Sequence, residues 1–223
     1  MHKGDGQLIE IYLDSGGRIN CPQELIPAPG TYLLAHAEES DYPLSVPLFL
    51  SESTPGGFRT APPLSATWKP GTRLCLRGPL GHGFTLPASA RRAALVAFDD
   101  SPARLRGLIP LSLKQDAAVT LVCDSVPEDL AEEVEVQPMK SLGGILKWAD
   151  YVAVDVAREN LPVVREILKK ADQSGVLVET QILIRTPMPC GTYAECGICA
   201  VTLKDGWIMV CKDGPVFDFV DLK

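Results

Sequence analysis

No stretch of this 223-residue chain approaches the ~20 consecutive apolar residues that a membrane-spanning helix requires. Met1 to Asp14 lacks a basic region followed by an apolar core, so no secretory leader is read there and the cytoplasm is the expected compartment. A basic block is also missing. The formal net charge is −7 and the isoelectric point lies near 5.0, which argues against nonspecific nucleic-acid binding. Histidine is scarce: His2, His36 and His82 are scattered and form no constellation for acid–base chemistry. Internal repeats and low-complexity segments are absent. What remains is 46% hydrophobic and 22% charged, the composition of a soluble globular protein with room for one large or two ordinary domains.

Seven cysteines are present, an odd number without framework spacing, which disfavours a secreted disulfide scaffold. Cys21, Cys75 and Cys123 stand alone. Cys75 (Leu-Cys-Leu) and Cys123 (Leu-Val-Cys) lie in apolar runs, and all three are read as small packing residues. The other four, Cys190, Cys196, Cys199 and Cys211, crowd the final third, with five, two and eleven residues between them. Asp205-Gly206 lies midway through the last interval, and Asp-Gly between β-prone runs signals a two-residue hairpin turn. That turn would set Lys204 opposite Trp207, Leu203 opposite Ile208 and Ala200 opposite Cys211, folding Cys211 back beside Cys199. Four sulfurs then converge, and a metal site is expected. Structural zinc favours two short Cys-x2–4-Cys knuckles far apart; only Cys196-x2-Cys199 qualifies. The plant-type [2Fe–2S] spacing, Cys-x4-Cys-x2-Cys with a distant fourth, fits except for one extra residue in the first interval. Iron–sulfur ligation is favoured, with zinc and unmetallated thiols or disulfides as the alternatives.

The first ninety residues read as β structure. Short apolar runs (Leu8 to Leu13, Tyr32 to Ala35, Leu74 to Leu76) alternate with proline and glycine punctuation, predicting a small barrel or sandwich. From Arg91 the rhythm changes. Ala93 to Phe98, Val119 to Cys123, Tyr151 to Val156 and Val176 to Ile184 read as buried strands separated by helical stretches, which implies a parallel sheet. The clearest helix runs from Leu161 to Ala171, with Asn160 as N-cap, Pro162 in the first turn and Ser174-Gly175 as the stop. The expected organisation is a barrel over residues 1–90, an α/β domain over 91–185 and a metal-binding segment over 186–223.

Particular motifs add a family resemblance. The tail Met188-Pro189-Cys190-Gly191, Cys196-Gly197-Ile198-Cys199 and Val210-Cys211-Lys212-Asp213-Gly214-Pro215-Val216-Phe217 resembles the iron–sulfur segment of the electron-transfer subunit of dihydroorotate dehydrogenase. Gly78-Pro79-Leu80-Gly81-His82-Gly83-Phe84 resembles that family's Gly-Pro-Leu-Gly-Asn-Gly-Phe segment, and Pro29-Gly30-Thr31-Tyr32 its Pro-Gly-x-Phe turn. The resemblance spans essentially the whole chain. It implies a ferredoxin-reductase-like architecture: an FAD-binding barrel, a Rossmann-like NAD domain and a C-terminal [2Fe–2S] hairpin segment. Electrons would pass between NAD(H), FAD and the cluster, and on to a dihydroorotate dehydrogenase-like catalytic partner of pyrimidine biosynthesis. Such a subunit is a component of an oxidoreductase, not a self-sufficient enzyme.

Two departures from the family pattern bear on the cofactors. Its flavin motif, Arg-Pro-x-Ser, stands here as Tyr42-Pro43-Leu44-Ser45: the serine is kept, but a phenol cannot meet a pyrophosphate bidentately as a guanidinium does. Gly56 and Gly57, with Arg59, offer a substitute loop, so FAD binding is expected, with a barrel that has lost its flavin as the competing reading. His82 is the one histidine near such a cofactor. Where the family carries Gly-Gly-Gly-x-Gly, this chain has Asp99-Asp100-Ser101-Pro102-Ala103. Two carboxylates and no glycine make a poor phosphate cradle, although Asp100 or Ser101 suits an N-cap ahead of Pro102. NAD(H) binding is expected to be weak or absent. A flavin-containing relay is the leading function, and a non-catalytic iron–sulfur adaptor or redox sensor is the alternative. Trp207, Ile208 and Phe217 are read either as partner contacts or as packing of the hairpin.

Overall fold

The structure is a computed structural model that describes residues 2–99, 101–125, 127, 129–175, 178–203 and 206–222. Six strands open the chain: β1 (His2–Ile11), β2 (Gly17–Asn20), β3 (Tyr32–Ala37), β4 (Val46–Thr54), β5 (Gly57–Thr60) and β6 (Arg73–Leu80). They close into an antiparallel barrel in the order β1-β2-β5-β4-β3-β6. Alternation fills it. Leu74 and Leu76 of β6 point inward with Leu8, Ile19, Leu33, Leu48 and Phe58, while Arg73 and Cys75 face out. Closure removes the exposed strand edges that an open sheet would carry.

A parallel set follows: β7 (Arg92–Ala97), β8 (Ala118–Val122), β9 (Val134–Gln137), β10 (Tyr151–Ala157) and β11 (Glu179–Arg185). The strands are nearly continuous apolar runs because both sheet faces are covered, here by α1 (Ile109–Lys114), α2 (Leu142–Trp148) and α3 (Leu161–Gln173). Of the stripe expected from periodicity (Val163, Val164, Ile167, Leu168, Ala171), Val164 and Leu168 are buried and Ile167 and Ala171 pack partly buried beside them, but Val163 is exposed; Ser174 closes the helix with Gly175 beyond it at φ 65°. Asn160 occupies the N-cap position without capping; its amide is drawn instead to Asp99, as described below. Val176 and Leu177, where the β11 strand was expected to begin, lie outside the described residues.

The tail contributes the hairpin β12 (Ala200–Leu203) and β13 (Gly206–Met209), the single helical turn α4 (Val210–Asp213), and β14 (Val216–Asp218). β14 pairs antiparallel with β11, completing a six-stranded sheet in the order β14-β11-β10-β7-β8-β9. The hairpin register corrects the expectation. Leu203 faces Gly206, Thr202 faces Trp207 and Ala200 faces Met209. Gly206, at φ 151°, opens β13 instead of finishing the turn; Lys204 and Asp205 lie outside the described residues. The barrel, the parallel α/β sheet and the C-terminal hairpin are thus all present. No helix among the described residues is long and apolar enough to cross a membrane.

Candidate metal centre

Cys199 immediately precedes β12 and Cys211 sits in α4, so the register brings them together one step past the end of the ladder, where the Val210 amide donates to the Cys199 carbonyl at 3.3 Å. Both are buried, at 1% and 2% exposure, and close enough for the Cys199 thiol to act on that of Cys211. Burial first, and then the Cys199 thiol, pushes Cys211 up to about 12. Tyr32 of β3 donates its hydroxyl to the Cys211 carbonyl at 2.9 Å, anchoring α4 to the barrel.

The other pair is more open. Cys190 is half-buried and Cys196 exposed, with sulfurs 3.4 Å apart. Gly191 (φ 47°) and Thr192 (φ 74°) turn the loop backbone inward. Burial raises the Cys190 thiol, but hydrogen bonds with the Cys196 thiol and with the backbone at Ala194, Thr192 and Cys196 outweigh it and hold Cys190 below the ordinary thiol range; as a thiol it donates to the Ala194 carbonyl at 3.0 Å. The Thr192 amide acts on Cys211 too, so the two pairs share a donor.

This donor set fits an iron–sulfur cluster: four thiols, inward-facing amides that stabilise thiolate charge, and a buried half that excludes water. The sulfurs are arranged as two pairs. Among the described residues, the trio of ligating side chains with all donor atoms within 4.8 Å of one another is Asp5, Glu38 and Cys75, not any three of these cysteines. One tetrahedral zinc, at ~2.3 Å from each sulfur, would need all four within about 3.8 Å of one another.

The remaining lone cysteines do not behave alike. Cys123 is buried, but Cys75 is exposed, correcting its reading as a packing residue. In Leu74-Cys75-Leu76 the strand period turns the leucines in and the thiol out. Burial, reinforced by Glu24, raises Cys21 to about 11, so only about one part in a thousand is thiolate at pH 8. Iodoacetamide at pH 8 is therefore expected to alkylate Cys75 well ahead of Cys21 and Cys123, as read by peptide mass spectrometry. Faster labelling of Cys21 would contradict the described barrel surface.

The residues expected at a flavin are only partly assembled. Tyr42, Pro43 and Leu44 are exposed, and the Tyr42 carbonyl lies 2.8 Å from His36 Nε2. Ser45 lines an open cleft of about 440 Å³ with Leu34, His36, Cys75, Arg77 and Tyr193. A flavin ring system fits such a cleft in size. The pyrophosphate side fits less well, because the hollow beside Tyr42 is lined by Glu38, Glu39 and Asp41 against Lys69 and Arg73. Gly56 and Gly57 join β4 to β5 at the far end of β4, whose length at ~3.3 Å per residue separates them from Ser45 by about 25–30 Å. The structure does not bring the two sets together. Arg59 is committed elsewhere, paired with Asp14 at 2.9 Å and stacked on Tyr12 at 4.1 Å. His82 is bound into the tail, its Nδ1 lying 3.0 Å from the Asp213 carbonyl. Trp207 is 65% exposed, whereas Phe217 is buried and packs.

Beyond the carboxyl ends of β7, β10 and β11, the usual dinucleotide position in such a sheet, lies a network that the sequence reading missed. Asp99 accepts from the Ala157 amide at 2.6 Å, from the Asn160 side-chain amide and from Arg185. Arg185 also donates to Asp155 at 2.8 Å. Arg104 sits 3.6 Å from Asp155 and donates to the Pro62 carbonyl of the barrel at 2.6 Å. Asp155 is 1% exposed; burial pushes its carboxyl up while Arg104 and Arg185 oppose the rise. The carboxylate inside Val154-Asp155-Val156 was the available signal, since an unpaired charge is not kept in a buried strand. Ser101 accepts from the Ala103 amide at 3.3 Å, as an N-cap residue would; Asp100 lies outside the described residues.

Comparison with solved structures defines the class. The NADH-dependent reduced ferredoxin-NADP oxidoreductase, described in connection with flavin-based electron bifurcation, superposes with a TM-score of 0.76 at 18% identity, covering 98% of this chain and 89% of that one. Ferredoxin reductase in carbazole 1,9a-dioxygenase gives 0.64 at 15% identity, over 82% and 69%. Phthalate dioxygenase reductase, a modular structure for electron transfer from pyridine nucleotides to [2Fe–2S], gives 0.54 at 12%, over 94% of both chains. The fold is ferredoxin-reductase-like. Within it, residues 186–223 match the family described as the iron–sulfur cluster binding domain of dihydroorotate dehydrogenase B.

Proposed function

We propose that this chain is an electron-transfer subunit in which Cys190, Cys196, Cys199 and Cys211 hold one [2Fe–2S] cluster. The observation that carries this is the division of four thiols into a 190/196 pair and a 199/211 pair, which suits two irons with two thiolates each. A bound cluster supplies one-electron transfer. The chain's own residues do the rest: Tyr32 and the hairpin fix the buried pair, and the 191–196 backbone stabilises the exposed pair. The division of labour is a flavin-type barrel over 1–90, a degenerate nucleotide-type domain over 91–185, and the cluster segment over 186–223.

FAD is assigned to the Ser45 cleft, and the partner is a dihydroorotate dehydrogenase-like oxidoreductase. Support comes from the resemblance of the tail and from the retained serine. A cluster-only adaptor or sensor is the second reading, favoured by the acid-rich hollow beside Tyr42. NAD(H) binding is weak, because Asp99 and Arg185 satisfy each other where a pyrophosphate would lie.

One experiment tests all three statements: absorbance, iron, sulfide and flavin analysis of anaerobically purified protein, followed by NADH titration. Iron and sulfide at about two each per chain, with flavin bands and no bleaching at micromolar NADH, is the expected result. Cluster without extractable flavin selects the adaptor reading. Zinc at one per chain, or stoichiometric bleaching by NADH, overturns the cluster or the nucleotide assignment respectively.

A further inference from the structure

Arg73 and Cys75 are exposed on the outer face of β6, and Arg77 is next on that same face by the strand period. Arg77 is nevertheless only 7% exposed, because the Cys190–Tyr193 loop lies over it. Its guanidinium donates to the Gly191 carbonyl and stacks 3.6 Å from the centre of the Tyr193 ring, which is itself 69% exposed. Gly191 has no room for a side chain, since a Cβ there would run into Leu34 and come within 3.1 Å of the guanidinium. Gly191 directly follows Cys190, so the guanidinium holds the backbone next to that thiol. Arg77 and Tyr193 both line the Ser45 cleft.

We propose that Arg77 is a positioning and potential-setting residue for the metal centre: it pins the loop of the first ligand, and its buried charge favours the reduced state. This rests on the cluster assignment above. One-electron reduction, from an electrode or a partner protein, adds one negative charge to a centre already carrying four thiolates. A fixed cation shielded from water interacts with that charge far more strongly than a solvated one. Tyr193 is the shield, closing the outer face of the guanidinium.

The test is the midpoint potential of the loaded protein, read by spectroelectrochemistry or by the reduced-cluster paramagnetic signal. Arg77→Met is expected to lower the reduced-to-oxidised ratio at fixed potential about tenfold, a negative shift of ~59 mV for one electron. Arg77→Lys, which keeps the charge, should recover most of it. Tyr193→Leu should shift in the same direction by less, and it serves alone if Arg77→Met does not load. Potentials unchanged in Arg77→Met and Tyr193→Leu, with iron and sulfide at wild-type levels, overturn the proposal. Wild-type protein lacking iron and sulfide would instead defeat the cluster assignment on which it stands.

Discussion

Cys199→Ser is expected to yield colourless protein, with iron and sulfide falling from about two each per chain to near zero. Cys199 is buried, lies beside Cys211 where the hairpin meets α4, and its carbonyl accepts from Val210, so no other thiol can replace it. A serine oxygen is a harder and far more basic ligand than a thiolate, and in this dry half of the site no water can take the vacated position. Cys21→Ser and Cys123→Ser should keep full cluster content, because neither thiol belongs to the tail. The barrel should stay folded in all three, which far-ultraviolet dichroism checks. Retention of the visible spectrum in Cys199→Ser would remove this cysteine from the ligand set and with it the two-pair arrangement.

Arg185→Met is expected to destabilise the fold by about 3–5 kcal/mol, because it strands buried carboxylates that cannot all be repaired. Asp155 would keep only the 3.6 Å contact with Arg104, and Asp99 would keep the Ala157 and Asn160 donors. At about 2–4 °C per kcal/mol for a chain of this size, thermal unfolding should begin some 6–20 °C lower. Replacing Arg104, Asp155 and Arg185 together by Met, Leu and Met should cost less than Arg185→Met, since the most deeply buried carboxylate leaves with its cations and only Asp99 remains, held by Ala157 and Asn160. Calorimetry of the two variants decides the matter. Equal losses would mean that the charges are not coupled.

Much of the architecture could be read from residue patterns, but unevenly. α3 was legible because its apolar stripe, its proline and its terminal Gly175 are all local signals. β14 was not, because its three residues have no meaning apart from their pairing with β11, more than thirty positions away. The hairpin was foreseen and its register misjudged. Asp-Gly is a good turn signal, but Gly206 uses its positive φ to enter β13, and two residues of slip moved Cys211 out of the ladder into α4. The slip kept the strand side chains on their faces, and Cys199 and Cys211 come together one step beyond the ladder instead of within it. Cys75 was misread although the two-residue period was in plain view. The Asp99–Arg185 pair, 86 positions apart, left no trace in any local window.

The Gly78–Phe84 turn carries one more consequence, for the order in which the molecule is completed. The His82 amide donates to the Gly214 carbonyl and its own carbonyl accepts from the Val216 amide, and Gly81 packs so closely on Gly214 that a Cβ there would come within 2.5 Å of its carbonyl. The barrel rim is therefore finished by residues made 131 positions after it, measured from His82 to Asp213. During synthesis the barrel strands emerge first, and the segment that covers this rim arrives last, bringing Cys211 with it. The covering of the barrel rim and the arrival of Cys211 beside Cys199 thus depend on the same last-made segment.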